Sequence, residues 1–102
     1  NLFEGQNFLI KELFVKSKAS LSLQKHHHRS EHWLITQGNP KITINKKIFV
    51  KKPNESAFIP KGAKHRIQNE FKKPVKIIEV QLGSILKETD IVRYKDVYGR
   101  VK

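Results

Sequence analysis

Short apolar runs recur along this chain at intervals of about ten residues, each closed by Gly, Pro, Asn or Ser, a spacing that restricts it to an all-β sandwich or barrel. Asn7 to Lys16 reads as the first strand, with Phe8, Ile10, Leu13 and Val15 as its apolar positions and the charges at Lys11 and Glu12 marking a bulge. Ser20 to His27 reads as the second. Glu31 to Gln37 is the third, and alternation places Glu31, Trp33 and Ile35 on one face and His32, Leu34 and Thr36 on the other. Gly38-Asn39-Pro40 is a turn, after which Lys41–Ile44 and Ile48–Val50 form a hairpin around Asn45-Lys46-Lys47. Pro53 to Ser56 turns again, Ala57-Phe58-Ile59 runs into a bend at Pro60-Lys61-Gly62, and His65 follows on the next strand. Asn69 to Pro74 is a further turn. Val75 to Leu82 is a long strand that places Ile77, Glu79 and Gln81 on one face. Near the end the pattern changes, and Thr89 or Asp90 is placed to cap a single helical turn through Ile91, Val92, Arg93 and Tyr94 that ends near Gly99. No repeat or linker divides the chain.

Across the end of the second strand and the start of the third runs a segment that chemistry singles out. His26, His27, His28, Glu31 and His32 follow one another closely between Leu21-Ser22-Leu23 and Trp33-Leu34-Ile35. Histidine tracts are often exposed or come from a purification tag, but a tag is not embedded between two strands. Strand alternation sends Gln24, His26 and His28 to one side and Lys25 and His27 to the other. Trp33 walls the space beside Glu31, as ordinary core filling or as a stacking surface for a substrate.

A second stretch, Ile59-Pro60-Lys61-Gly62-Ala63-Lys64-His65-Arg66-Ile67-Gln68-Asn69, completes a pattern. Six residues separate Glu31 from Gly38, and Pro60, Gly62, His65 and Asn69 follow Pro-x-Gly-x-x-His-x-x-x-Asn position for position. Together the two stretches resemble the paired motifs of the cupin superfamily. The likeness narrows further. Leu-Ser-Leu-Gln-x-His-His-His-Arg-Ser-Glu-His-Trp, Ile-Glu-Val-Gln-x-Gly and Glu-x-Asp-Ile-x-Arg-x-x-Asp-x-Tyr-Gly-Arg, over roughly residues 8 to 100, resemble the type II mannose-6-phosphate isomerase domain. Ser17-Lys18 stand where that family usually has Pro-Gly, and the family's Arg-Pro-Trp-Gly segment would lie upstream of Asn1.

The resemblance implies a cupin-type double-stranded β-helix, a jelly-roll barrel, with the short C-terminal helical turn appended. It also implies a metal site, a divalent ion such as Zn²⁺ held by mixed N and O ligands with positions open to substrate. The family pattern wants two ligands at alternate positions and then Glu after three or four residues. Gln24 and His26 leave four residues before Glu31, whereas His26 and His28 leave two. Spacing therefore selects Gln24, His26, Glu31 and His65, although imidazole is the better Zn²⁺ ligand and chemistry alone favours His28. The implied activity is interconversion of mannose 6-phosphate and fructose 6-phosphate, in which a proton moves between C1 and C2 through an enediolate. Glu79 is the first candidate for the base and His28 the second, with a carboxylate satisfied by an arginine as the competing reading for Glu79. Arg66, Arg93 and Arg100 are candidates for the phosphate, or partners of Glu88, Asp90 or Asp96. Gln81 is placed for a sugar hydroxyl or a neighbouring strand. The family commonly forms the C-terminal part of proteins whose N-terminal domain is a mannose-1-phosphate guanylyltransferase, so the expected partners are a sugar phosphate and that covalently linked domain, supplying GDP-mannose for polysaccharides. The contrasting expectation is a non-catalytic metal-holding cupin serving as a sugar-ligand or dimerisation module.

Composition bears on the partners. At 102 residues the chain is near the lower limit for a self-sufficient core, and a homodimer is expected. The lack of Met, even at position 1, is what a piece of a longer protein would show, and the lack of Cys excludes disulfides and thiolate ligands. No apolar run is long enough to span a bilayer and no signal peptide is visible, so a cytoplasmic protein without a membrane role is expected. The formal charge of +12 suits a nucleic-acid binder, but the lysines are scattered through turns and strand edges with no recognition helix or aromatic platform, so no nucleic-acid partner is expected. The same positive field suits an anionic sugar phosphate.

Overall fold

The computed structural model describes residues 3–4, 7–25, 28–83 and 92–93, the first and last pairs as backbone only. Ten strands carry the architecture: β1 (Phe3–Glu4), β2 (Phe8–Val15), β3 (Gln24–Lys25), β4 (Arg29–Gln37), β5 (Lys41–Ile44), β6 (Lys47–Val50), β7 (Ser56–Ile59), β8 (His65–Gln68), β9 (Val75–Gly83) and β10 (Val92–Arg93). They form two five-stranded sheets, ordered β1-β2-β9-β4-β7 and β10-β3-β8-β5-β6, with every pairing antiparallel. Among the described residues there is no helix, and so none long and apolar enough to cross a membrane.

Alternation explains why the sheets face each other. Trp33, Ile35, Ile59, Val75, Ile77 and Val15 leave the first sheet on one side and meet Ile42 and Ile67 of the second in a single buried cluster. Their β-branched and aromatic side chains fill a pleated surface well.

Turn chemistry closes the strands. Asn45 takes the left-handed conformation (φ 54°) in the turn that joins β5 to β6, where Ile44 pairs with Lys47. Between β7 and β8 the Ala63 N–H donates to the Pro60 carbonyl at 3.1 Å, with Gly62 at φ 82°, the third residue of a turn whose geometry favours glycine there. Gly38 is held twice over: its φ is +82°, and a Cβ there would lie 2.8 Å from the Pro74 carbonyl oxygen.

Three local expectations are corrected. β2 has no bulge at Lys11 and Glu12, since it pairs one-to-one with β9 from Phe8 opposite Leu82 to Val15 opposite Val75. Lys11 turns inward opposite Glu79, so a charge occupies an inner position that the apolar pattern leaves empty. The irregularity falls instead in β4, between Ile35 and Gln37. The second expected strand, Ser20 to His27, is regular only at Gln24–Lys25; before it, Ser20 bridges Gln68 and the Leu21 N–H donates to the Ile67 carbonyl at 2.9 Å. The five residues from Ser20 through Gln24 thus span the four from His65 through Gln68, and the extra residue interrupts the ladder. At the far end, Val92 and Arg93 are extended and pair with Lys25 and Gln24 where a helical turn was expected; the rest of that turn lies outside the described residues.

Asn69 ties the frame together. Almost fully buried, its side-chain amide nitrogen lies 3.1, 3.2 and 2.9 Å from the carbonyls of Val15, Lys16 and Lys73, while its oxygen accepts the Phe71 N–H at 3.1 Å. Asn69→Ala strands those carbonyls in a buried place. We expect it to lower the unfolding free energy by about 2–3 kcal/mol in a urea titration, and a change within about 0.5 kcal/mol would show that water replaces the amide without loss.

Candidate functional site

The inner face of β4 begins Arg29, Glu31, Trp33, and the inner face of β9 ends Glu79, Gln81. Register sets Glu31 opposite Gln81 and Trp33 opposite Glu79, so two carboxyl groups, an indole, an amide and a guanidinium converge at one end of the barrel. All are buried: Glu31 and Gln81 at 0% exposed, Trp33 at 1%, Glu79 at 4% and Arg29 at 5%.

Hydrogen bonds link them into a chain. Arg29 Nε donates to Glu31 Oε2 at 3.1 Å. The Trp33 indole N–H is shared, 2.9 Å from Glu31 Oε1 and 3.0 Å from Glu79 Oε2. Gln81 Nε2 donates to Glu79 Oε1 at 2.7 Å, and among the described residues Gln81 Oε1 has no hydrogen-bond partner.

His65 enters from the second sheet. The first residue of β8, it is paired with Gln24 of β3 on one side and Ile44 of β5 on the other. Its ring stands edge-on to Trp33, centroids 5.5 Å apart at 77°. Burial depresses its pKa below the ordinary 6.5, so the imidazole is neutral at neutral pH; the Ala63 carbonyl and the Glu79 charge act the other way, and Arg29 acts with burial. Nδ1 lies 3.2 Å from the Ala63 carbonyl, which in the neutral ring assigns the proton to Nδ1 and leaves Nε2 as the basic nitrogen. That nitrogen is 3.9 Å from Glu31 Oε1.

Glu79 is the electrostatically distinctive group. Its pKa is raised from 4.5 to about 8: burial is the largest cause, the hydrogen bond and negative charge of Glu31 act with it, and Gln81 and Lys11 partly offset them. It therefore titrates near neutrality beside a second carboxylate, the condition in which a carboxyl group moves protons at physiological pH.

These residues suit a divalent cation. A neutral imidazole oriented by a backbone carbonyl, as metal-bound histidines usually are, faces a buried carboxylate within the roughly 4 Å that two ligands each about 2 Å from one ion can span. Gln81 Oε1 adds an acceptor oxygen beside them. Among the described residues, no three His, Cys, Asp or Glu side chains are grouped to hold an ion. Of the expected ligands, Glu31 and His65 converge, Gln24 is paired with His65, and His26 lies outside the described residues.

Of the other expected site residues, Glu79 and Gln81 join the cluster, whereas exposed His28 precedes inward-facing Arg29. Arg66 alternates with inward-facing His65 and Ile67 and lies on the opposite face of β8, away from the carboxylates. Arg93 sits in β10 opposite Gln24, and Arg100 lies outside the described residues. Sequence reasoning missed Arg29, whose position two before Glu31 on the same strand was the available signal, and the indole N–H of Trp33 as the bond between the two acids.

The chain matches the family model described as "Mannose-6-phosphate isomerase C-terminal" over residues 1–96. It is 48% identical over 96 residues to the xanthan biosynthesis protein XanB of Xanthomonas campestris pv. campestris, covering 94% of this chain and 21% of that protein. To the mannose-1-phosphate guanylyltransferase ManC of Salmonella typhimurium it is 45% identical over 97 residues, covering 95% of this chain and 20% of that one. The chain thus spans about a fifth of the length of the curated relatives it matches. Among solved structures, the fold is similar to a Klebsiella pneumoniae protein with a double-stranded β-helix domain (TM-score 0.81, 12% identity, 93% of this chain and 81% of that one). It is also similar to the cupin domain of Schizosaccharomyces pombe Cnp3 (TM-score 0.77, 22% identity, 80% and 61%).

The Glu79 shift has a measurable sign. Between its unfolded value of 4.5 and its folded value of about 8 the folded state holds the extra proton, so stability is greatest below that window and falls as pH rises through it. Chelator-treated protein should unfold at a lower urea concentration at pH 8.5 than at pH 5.5, and Glu79→Gln should flatten that difference. An equally steep dependence in the variant would place the titration elsewhere.

Proposed function

This chain belongs to the mannose-6-phosphate isomerase C-terminal family, and on that premise we propose that it interconverts mannose 6-phosphate and fructose 6-phosphate with a divalent metal ion, Zn²⁺ being the first choice. The observation that carries the reading is the buried Glu79 carboxyl, titrating near neutrality and joined through the Trp33 indole N–H to Glu31, with the His65 ring edge-on to that indole.

Gln24, His26, Glu31 and His65 would hold the ion. When bound, it would stabilise negative charge that develops on the substrate oxygens at C1 and C2. Glu79, in its ionised form, takes the proton from C2 of the aldose to give the enediolate and returns it to C1, while the proton of the C2 hydroxyl passes to the oxygen at C1, which completes the ketose. Trp33 fixes the Glu79 carboxyl by its N–H. Gln81 has an amide oxygen to accept from a sugar hydroxyl, and the apolar body of the barrel behind Trp33 keeps water from the carbanionic carbon. For the phosphate, Arg93 is favoured by its place opposite Gln24, and Arg66 is disfavoured by its face of β8. The longer relatives, one named a guanylyltransferase and one a xanthan biosynthesis protein, support a further reading. In it, the chain works in the cytoplasm beside a linked guanylyltransferase domain and feeds activated mannose to polysaccharide synthesis.

A coupled assay with and without chelator tests this. Glu79→Gln should lower kcat at least about a hundredfold while metal affinity is kept, and His65→Ala should lose metal and activity together. Full metal binding without isomerisation in the unaltered chain would favour the non-catalytic cupin. A second measurement sorts the ligands: metal affinity should fall more in Gln24→Ala, opposite His65, than in His28→Ala, where turnover should suffer instead. The reverse order would assign the ligand to His28.

A further inference from the structure

Each sheet ends in an edge strand, β7 in the first and β6 in the second, and these two edges flank a groove of about 890 Å³ without pairing to each other. That volume suits a small molecule. Ile44, Phe49, Ala57 and Pro60 give the groove an apolar floor, with Phe49 packed against the buried cluster. Glu31, His65, Glu79 and Gln81 do not line it, so it is separate from the candidate site although Lys64 immediately precedes His65.

Positive charge gathers at one end of the groove. Asn45 joins two turns by a reciprocal pair of hydrogen bonds: its N–H donates to the Lys64 carbonyl at 2.7 Å, and the Lys64 N–H donates to its side-chain oxygen at 3.1 Å. This clamp brings Lys64 to the turn that carries Lys46 and Lys47, and all three line the groove. Lys51 lines it further along, its ammonium 5.2 Å from the centre of the Phe49 ring. Among the described residues no Asp or Glu lines the groove, and Lys46, Lys47 and Lys51 have no ion-pair partner. Like charges gathered at a fixed turn repel one another until an anion sits among them. Lysines on an edge strand also deter strand-to-strand aggregation, but that purpose needs neither a clamp nor a cavity.

The two parts of the groove specify its ligand. Three neighbouring ammonium groups, each with three donors, suit a di- or triphosphate better than a single carboxylate. The floor seats an apolar body. Besides the lysines only Asn45 and Ser56 offer polar side chains, and the Asn45 oxygen is already engaged by Lys64, so the hydroxyls of a free sugar phosphate would lose water without finding partners. We propose that the groove between β6 and β7 is a second ligand site, and that it takes a nucleotide, with a flat heterocycle over Phe49 and Ala57 and its phosphates among Lys46, Lys47 and Lys64. With so few polar side chains to read the edge of a base, the seat is indifferent to which base it holds.

Isothermal titration of the chelator-treated 102-residue chain tests it, since without metal the outcome is independent of the isomerase reading. ADP should bind with a Kd below about 300 µM in low salt, at least about fivefold tighter than either pyrophosphate or adenosine. Lys47→Gln and Lys64→Gln should each weaken ADP at least about threefold, whereas Lys72→Gln and Lys73→Gln, in the turn before β9, should leave it unchanged. All four lysines are exposed, so none of these changes threatens the fold. A smaller margin over pyrophosphate, or equal losses in Lys72→Gln, would reduce the groove to diffuse charge and overturn the proposal. Weaker binding of ADP would overturn it too and leave the lysines as edge protection. Tetraglutamate bound more tightly than ADP would overturn it in favour of an acidic peptide.

Discussion

Two carboxyl groups buried side by side are the constraint to which this barrel answers. An unpaired ionised carboxylate is expensive to remove from water, and two in contact are more so. Here the expense is met by different means at each group: Glu31 receives the Arg29 guanidinium, Glu79 keeps a proton near neutrality and takes the Gln81 amide, and one indole N–H serves both. Strand geometry makes this possible only if the donors recur at every second residue, which is the spacing of Arg29, Glu31 and Trp33 and of Glu79 and Gln81. The inner face is consequently divided along its length. Its polar end holds the acids and His65, and past Trp33 it becomes Ile35, Ile77, Val75, Ile42 and Ile67.

The residues that made the fold recognisable fall into two physical kinds. Glu31 and His65 are chemical groups aimed at the interior. Gly38, Gly62 and Asn69 instead solve backbone problems: positive φ at the two glycines, a close approach to Pro74 at the first, and buried carbonyls satisfied by the asparagine. Motif membership alone therefore does not mark a residue as catalytic.

Period-two alternation carried most of the legible information. It placed Glu31, Trp33 and Ile35 on one face of β4, and Ile77, Glu79 and Gln81 on one face of β9, as the structure has them. It failed where a charge broke the apolar pattern without breaking the strand. Lys11 read as a bulge because nothing local announces that Glu79, far along the chain, lies opposite. The extra residue between Ser20 and Gln24 was equally invisible, since its reason lies in the pairing with β8. Arg66 shows the converse: guanidinium chemistry suggested a phosphate ligand, and one step of alternation from His65 put it on the other face. Long-range register, more than propensity, was what the linear pattern lacked.

The strand order has a consequence for how such a chain acquires its structure. β9 lies between β2 and β4, joining residues 8–15 to 75–82, so the first sheet has no centre until residues 75–83 have been synthesised. Until then β2 and β4 present unpaired backbone and apolar side chains, and the acids of the interior are incomplete because Glu79 and Gln81 arrive with the missing strand. Contacts so distant in sequence form slowly. The nascent chain thus passes through a stage in which its second sheet can pair within residues 41–68 while its first remains open, and that interval is when a ribosome-bound copy is most exposed to aggregation.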